Sequence, residues 1–490
     1  MPLKLHNTLS KKTEEFTPQE GSKVSLYTCG PTVYNYLHVG NWFPYVMWDV
    51  LVRTLMANGY KPERVMNITD VGHLTGENEG DADTGEDKLA KGARREGKTA
   101  WEVAEMYSED FLAGMEKLGL ILPEHIARAT DYIPQQLELV RTLKEKGYTY
   151  QISDGIYFDT SKFPTYAEFA SLDLDAQKAG ARVEFNPEKR NASDFALWKF
   201  SPENQKRDME WDTPTDLLED GRERMGFPGW HLECSAIAMH FLGNTLDIHT
   251  GGIDHIPVHH TNEIAQSESA TGQLFSRFWL HNNHLKSEGT KISKSLGNGY
   301  TLQDLDDRGF SPMDYRMFAL QSQYRNESNF TRENLQAAKN RLTHWRSIAA
   351  LRHQVHDTLE SELKEIQNDK TIMLVAASQA VIEALNDDLN TPEALKIVDI
   401  AFAQLDGKSL RKLHEHGLNQ LLGTIDETLG LQLQASTPDI SDEQKQLILQ
   451  RNHARKEKDW KASDELRDEL LKQNIELRDT TSGSIWQYAE

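Results

Sequence analysis

The sequence predicts an α/β protein built on a parallel sheet, with an α+β insertion, a helical bundle and a small C-terminal unit. Three observations predict it. A strand, a helix and a second strand follow one another between Val24 and Ile68, and a comparable strand returns at 244–249. Between them, residues 118–224 mix short strand-like and helix-like stretches. After about Asn326 the spacing of apolar residues is helical alone.

Each element has its own signal. Val24-Ser25-Leu26-Tyr27-Thr28 alternates and is β-prone, so a strand ends at Cys29. Residues 43–57 are apolar almost all round, the mark of a buried helix, and Asn58-Gly59 supplies its stop. Residues 64–68 form the next strand, which makes a βαβ unit with parallel strands and a right-handed crossover. Ligands of such sheets gather at the carboxyl ends of strands, where Cys29, Thr69 and His249 are expected. Residues 151–159 read as a hairpin with Asp154-Gly155 at its turn. Leu335, Ala338, Leu342, Trp345 and Ala349 share one helical face. Asn390-Thr391-Pro392-Glu393 is a helix start, with a capping side chain and a proline in the first turn. Residues 434–441 read as a linker into a last unit whose helix carries Arg451 to Lys456.

Composition narrows the class. The chain has 490 residues, enough for two to four domains, and 27% of them are charged, as in ordinary soluble proteins. No run approaches the ~18 apolar residues of a membrane span. The start, Met1-Pro2-Leu3-Lys4-Leu5, lacks the apolar core of a signal peptide, so a cytoplasmic location is expected. Two cysteines argue for a reducing compartment and against a disulfide framework. A net charge of −22 argues against general nucleic-acid affinity. Local runs differ: residues 88–98 hold five basic residues against one acidic, and 451–461 five against two. Singly, each reads as a solvated face. The acidic run 77–87 echoes a calcium loop but lacks its glycine and final glutamate spacing, and reads as a solvated loop.

The chemistry concentrates in four segments. Cys29 opens Cys-Gly-Pro-Thr-Val-Tyr, which leads to His38-Val39-Gly40-Asn41. Cys234 ends Trp230-His231-Leu232-Glu233-Cys234. His259 and Glu263 stand four apart, on one face of a helix. Lys291-Ile292-Ser293-Lys294-Ser295 follows. Two thiolates, an imidazole and a carboxylate make a complete zinc ligand set. Alone, either cysteine would read as an inert small core residue.

In this order the segments resemble the cysteinyl-tRNA synthetases: the first resembles their HIGH region, Lys291 to Ser295 their KMSKS loop, and the other two their zinc segments. Residues 386–394 and 451–468 resemble the family's tRNA-binding half. The resemblance implies a class I, Rossmann-like catalytic domain over 1–117 and 225–325 with an insertion at 118–224. It further implies a tRNA-binding helical bundle over 326–432 and an anticodon-binding unit over 433–490. The implied reaction activates L-cysteine with ATP, accompanied by Mg2+, and transfers it to tRNA(Cys). The implied protein is monomeric and has no membrane partner, and one zinc ion per chain lies on Cys29, Cys234, His259 and Glu263. His255 and His260 are rival ligands; His259 is preferred because its spacing to Glu263 matches the family motif. Catalysis falls to His38, Asn41, Lys291 and Lys294, with Lys294 the principal ATP contact. Gly30, Gly40, Gly251, Gly252 and Asp254 complete the ATP site, with Asp254 on the ribose hydroxyls. Thr69, Trp230 and His249 line the cysteine site, and Trp460 stacks on an anticodon base or packs in a core.

Physical reasoning points the same way. Activation asks for positioning and charge stabilisation, which donors at a helix N-terminus and mobile lysines provide. Cysteine and serine differ by one atom, and a soft metal–thiolate bond separates them. The sequence departs from the family pattern at Asn41 (for histidine), Ile292 (for methionine) and Thr250 (for a common glycine). A rival reading is a ligase joining activated cysteine to an amino sugar, although such relatives lack the roughly 160 helical residues present here. A non-catalytic RNA-binding paralogue is the other rival.

Overall fold

A computed structural model describes residues 1–72, 74, 85–172, 186–202, 206–292, 297–354, 369–405, 415–480 and 483–489. Ser293, Lys294, Ser295 and most of the acidic run 77–87 lie outside the described residues.

The central sheet has five parallel strands: β1 (Lys23–Thr28), β2 (Lys61–Ile68), β3 (His125–Arg128), β4 (Leu246–Gly252) and β5 (Ser276–Asn282). Their order across the sheet is β5-β4-β1-β2-β3. Strands run outward in both directions from the β1–β4 pair, where Ile248 lies beside Leu26 and Thr250 beside Thr28. That pair is therefore a topological switch point, where a crevice opens beyond the strand ends. Helix α1 (Val39–Ala57) crosses between β1 and β2 with thirteen of its nineteen residues buried, as its apolar composition requires. Helices α2 (Trp230–Leu242) and α3 (Thr261–Thr271) flank β4 in the chain.

Four expectations need correction. The strand His125–Arg128 falls within the stretch expected as insertion, yet it pairs with β2, Met66 beside Ile126, and completes the parallel sheet. The insertion's own antiparallel sheet also runs past residue 224, ending with Met225–Pro228. Neither boundary shows in the sequence, because a strand of four residues carries little pattern. The hairpin turn is Ser153-Asp154, since Ile152 pairs with Gly155. Gly155 is required by close strand approach: a Cβ there would lie 2.5 Å from the Trp198 carbonyl oxygen. Finally, β4 continues to Gly252, which leaves His249 inside the strand and fully buried.

Leu285–Ser287, Thr290–Lys291 and Ser328–Phe330 form a small sheet that carries Lys291. Arg332–Ala350 follows and packs on helix Pro312–Leu320; its residues Leu335, Ala338, Leu342, Trp345 and Ala349 are all buried, and the Trp345 ring meets Phe402 of Thr391–Ala403. Asp369–Leu385 packs with Thr391–Ala403 and Glu415–Leu429. Asn390 caps Thr391–Ala403 through the Glu393 N–H at 3.2 Å. The stretch 434–441 is packed rather than loose: Thr437 and Ile440 are buried, and Arg352 Nη1 donates to Thr437 Oγ1 at 2.7 Å. The last unit pairs Asp442–Lys456 and Trp460–Lys472 with the hairpin Ile475–Thr480/Gly483–Tyr488, around Ile448, Leu470 and Trp486. Among the described residues no helix is long and apolar enough to cross a membrane.

Candidate active site and metal centre

The crevice at the switch point is a cleft of about 740 Å3, and all four segments singled out in the sequence contribute to it. Cys29 leaves β1 held by its N–H to the Thr250 carbonyl, 3.3 Å. The next residue must be glycine. The Gly30 N–H donates to Asn67 Oδ1 at 2.8 Å, and a Cβ would sit 1.6 Å from the Asn67 carbonyl oxygen. The chain then passes Thr69 through reciprocal backbone bonds, Val33 N–H to Thr69 and Thr69 N–H to Pro31.

Cys29, Cys234, His259 and Glu263 are all buried, and one ligand atom from each lies within 4.8 Å of the others. Cys29, His249, His260 and Glu263 meet the same condition. His259 belongs to a wide turn, Ile256–His260, that runs into α3, and its Nε2 lies 2.9 Å from Glu263 Oε1. That oxygen nonetheless makes no aligned hydrogen bond among the described residues. The other carboxylate oxygen meets His249 Nε2 at 3.0 Å. His259 Nδ1 lies 3.1 Å from His231 Nδ1, and the Trp230 ring covers His259 with centroids 4.3 Å apart. His260 lies 3.5 Å from Cys29 Sγ and is tied by its Nδ1 to His281 Nε2 at 2.7 Å.

Electrostatics follow from this crowding. Burial pushes the Cys29 thiol up, but contacts with Cys234, His255, His259 and His260 more than reverse it and hold it well below the usual range. Burial raises Cys234 well above it. Burial works against charge on His259, yet the Glu263 carboxylate and Cys29 bring its pKa up to about 10. The cluster favours an anionic thiol, and once His259 gives up its proton the thiolate, neutral imidazole and carboxylate are the donor set a soft divalent ion takes.

The nucleotide-type residues line the same cleft. His38 caps α1 in an extended conformation, and its N–H donates to Asn41 Oδ1 at 3.1 Å. Gly40 and Gly299 leave room for the His38 ring, and a Cβ on Gly40 would lie 2.8 Å from Ile292 Cδ1. The Lys291-Ile292 segment thus packs on the start of α1, and the Val39 N–H donates to the Tyr300 carbonyl at 2.8 Å. On the opposite side, a Cβ on Gly251 would meet His260 at 2.5 Å, and one on Gly252 would meet Asp254 Oδ1 at 2.4 Å. Thr250 directs its hydroxyl into the sheet, towards Tyr27 and Thr28.

Four residues of the site were not anticipated. Asn67 anchors Gly30. Glu233, fully buried, accepts from Thr69 Oγ1 and Asn67 Nδ2. His231 and His281 hold His259 and His260. Only His231 and Glu233 left a trace in the sequence, as ionisable groups inside an apolar helix.

The model for "tRNA synthetases class I (C) catalytic domain" matches residues 15–340, and that for "Cysteinyl-tRNA ligase anticodon binding domain" matches residues 437–486. A cysteine–tRNA ligase of Treponema denticola is 39% identical over 99% of this chain and 100% of its own length. Cysteine–tRNA ligase 1 of Burkholderia lata is 40% identical over 99% and 96%. Among solved structures, methionyl-tRNA synthetase of Mycobacterium tuberculosis in complex with methionyl-adenylate superposes with a TM-score of 0.62 at 15% identity, covering 85% of this chain and 93% of that one. A LeuRS–tRNA–LeuAMS complex of Agrobacterium radiobacter superposes with a TM-score of 0.59 at 12% identity, over 87% and 86%. Both share the fold.

Proposed function

Because the chain belongs to the cysteine–tRNA ligase family, its activity is the ATP-dependent charging of tRNA with cysteine, and we propose that zinc among Cys29, Cys234, His259 and Glu263 selects the amino acid. One observation supports the zinc: a buried set of two thiols, an imidazole and a carboxylate, converging around a Glu263 oxygen with no aligned partner among the described residues. Bound there, zinc supplies a soft acceptor that a thiolate satisfies and a serine hydroxyl does not. An apolar pocket separates near-isosteres by only ~10²-fold, so the metal carries the selectivity. We take this set over the His249–His260 one because His249 already engages the far oxygen of Glu263, the contact expected of a group that orients a ligand. Trp230 and Thr69 bound the cysteine side of the cleft, and His249 stands behind them against Glu263.

His38, Gly40 and Asn41 meet the ATP phosphates at the α1 N-terminus, where N–H groups and the helix dipole favour an anion. Gly30, Gly251 and Gly252 line the nucleotide side of the cleft, with Asp254 on the ribose hydroxyls. Lys291 and Lys294 neutralise charge on the triphosphate, which arrives with Mg2+, and Lys294 makes the principal contact. A cysteine carboxylate oxygen attacks the α-phosphorus, pyrophosphate leaves, and a terminal tRNA hydroxyl then attacks the carbonyl of the adenylate to release AMP. We assign 326–432 to tRNA binding and 433–490 to the anticodon, and read the protein as a cytoplasmic monomer. Trp460, 59% exposed at the start of its helix, is available to stack on an unpaired base. The amino-sugar reading is not favoured, given the matched anticodon-binding domain.

The test is metal content. Cys29→Ser and Cys234→Ser proteins should purify with at least about tenfold less zinc than wild type by atomic emission, and lose preference for cysteine over serine in ATP–pyrophosphate exchange. Full zinc occupancy in both variants removes the site.

A further inference from the structure

One rim of the cleft combines two features that activation of cysteine does not use. Tyr36 stands at the mouth with 50% of its surface exposed, although it is large and aromatic. Its ring is not loose: it packs edge-on against Tyr107, with centroids 5.0 Å apart and planes at 87°. Tyr107 is itself buried and is held by Arg95, whose Nη2 donates to the Tyr107 hydroxyl and to the Tyr34 carbonyl, each at 2.8 Å. Arg95 is thus a strut that fixes the Tyr34–Tyr36 loop and presents the Tyr36 ring outward.

Beside this loop lies the basic helix Lys88–Glu96. Gly92 brings it close, since a Cβ there would lie 3.1 Å from the Tyr34 carbonyl oxygen. Lys88, Lys91 and Arg95, at i, i+3 and i+7, share the face turned to the loop. Lys88 lines the cleft and stands 5.8 Å from the Tyr34 ring centroid. Lys91, one turn further out, is exposed and pairs with no carboxylate among the described residues. In a chain of net charge −22, a polyanion entering this cleft has to be met by local cations. An oriented aromatic face beside lysines is the chemistry that binds single-stranded nucleic acid, the base stacking while the backbone is neutralised.

Resting on the charging activity stated above, we propose that Tyr36 and the Lys88–Lys91 face receive the unpaired 3′ end of the tRNA and guide it to the adenylate. ATP–pyrophosphate exchange is assayed without tRNA and charging with it, so the two half-reactions separate the roles. In Tyr36→Ala, ATP–pyrophosphate exchange stays within about twofold of wild type while kcat/KM for charging falls about tenfold, the size of one stacking contact. Tyr36→Phe restores charging. Lys91→Ala lowers the salt dependence of tRNA binding by about 0.7 in log–log slope, one phosphate of a single strand. Each variant's loss of affinity for intact tRNA, measured by direct binding, vanishes for tRNA trimmed of its unpaired 3′ nucleotides. The proposal is overturned if charging by both alanine variants is unchanged, if exchange falls in step with charging, or if trimmed tRNA shows the same loss. An unmodified protein that exchanges pyrophosphate but charges no tRNA refutes the underlying activity, and this surface with it.

Discussion

Asp70 follows Thr69 at the end of β2, is buried, and accepts from the Thr130 N–H at 3.0 Å and hydroxyl at 2.6 Å. Burial still pushes its pKa up to about 6, against those bonds. A carboxyl raised in the folded state favours folding least when ionised, so stability falls as pH rises from about 4 through 6, by up to ~3 kcal/mol. Asp70→Asn keeps an acceptor for Thr130 without a charge to desolvate. Urea unfolding should find it about 1–3 kcal/mol more stable than wild type at pH 8 and equal near pH 4; a gap independent of pH would refute the burial argument. Nothing in the sequence separates Asp70 from the exposed aspartates, because desolvation belongs to the packed state. Cys29, Cys234, His259 and Glu263 were legible because each sits in a distinctive short segment, and because an i, i+4 pair needs only a helix to converge. His281 was not, since its partners Thr8 and His260 come from distant parts of the chain.

At the scale of elements, periodicity served well where one face is buried and poorly where charge is shared across the chain. Residues 451–461, five basic against two acidic, read by themselves as a solvated face. The fold commits part of that charge: Arg451 is buried and donates to both Asp479 oxygens at 3.0 Å and to Ser484 at 2.8 Å, and Arg455 joins Asp479 as well. These partners, Arg451 foremost, hold the Asp479 carboxyl well below the usual range. A lowered carboxyl contributes stability above its unfolded value of about 4 and loses it as pH falls. Asp479→Asn should weaken amide hydrogen-exchange protection in 442–488 by about 1–2 kcal/mol at pH 7, the pair being partly exposed, with the deficit shrinking below about pH 4. Undiminished protection would show that Arg451 needs no partner there. The strands 125–128 and 211–212 escaped detection for a related reason: two to four residues carry no period.

Across the whole molecule, catalytic domain and bundle are joined at a buried polar hub. Arg316 is fully buried and donates to the carbonyls of Leu429 at 2.8 Å and Leu118 at 2.9 Å, and to Asp49 on α1. Asp49 also accepts from Arg53 Nε at 2.6 Å and the Ile121 N–H at 2.7 Å. Gly430, at φ 63°, lets the end of Glu415–Leu429 approach, since a Cβ would lie 2.3 Å from Arg316 Nη2. Arg316→Met should cost about 3 kcal/mol, as loss of one partner of a buried pair does, and split thermal unfolding into separate catalytic and bundle transitions. A single, unshifted transition would show that apolar contacts alone join them. By itself the sequence determined the α/β class, the main helices, the family and the residues that would meet at one site, because those depend on local period and on short motifs. Only the tertiary structure decided that β3 joins the sheet, that His249 lies behind Glu263 rather than at a strand end, and that Arg451 is spent inside its own unit. Pairing and burial are set by residues far apart in the chain, and no local pattern encodes who the distant neighbour will be.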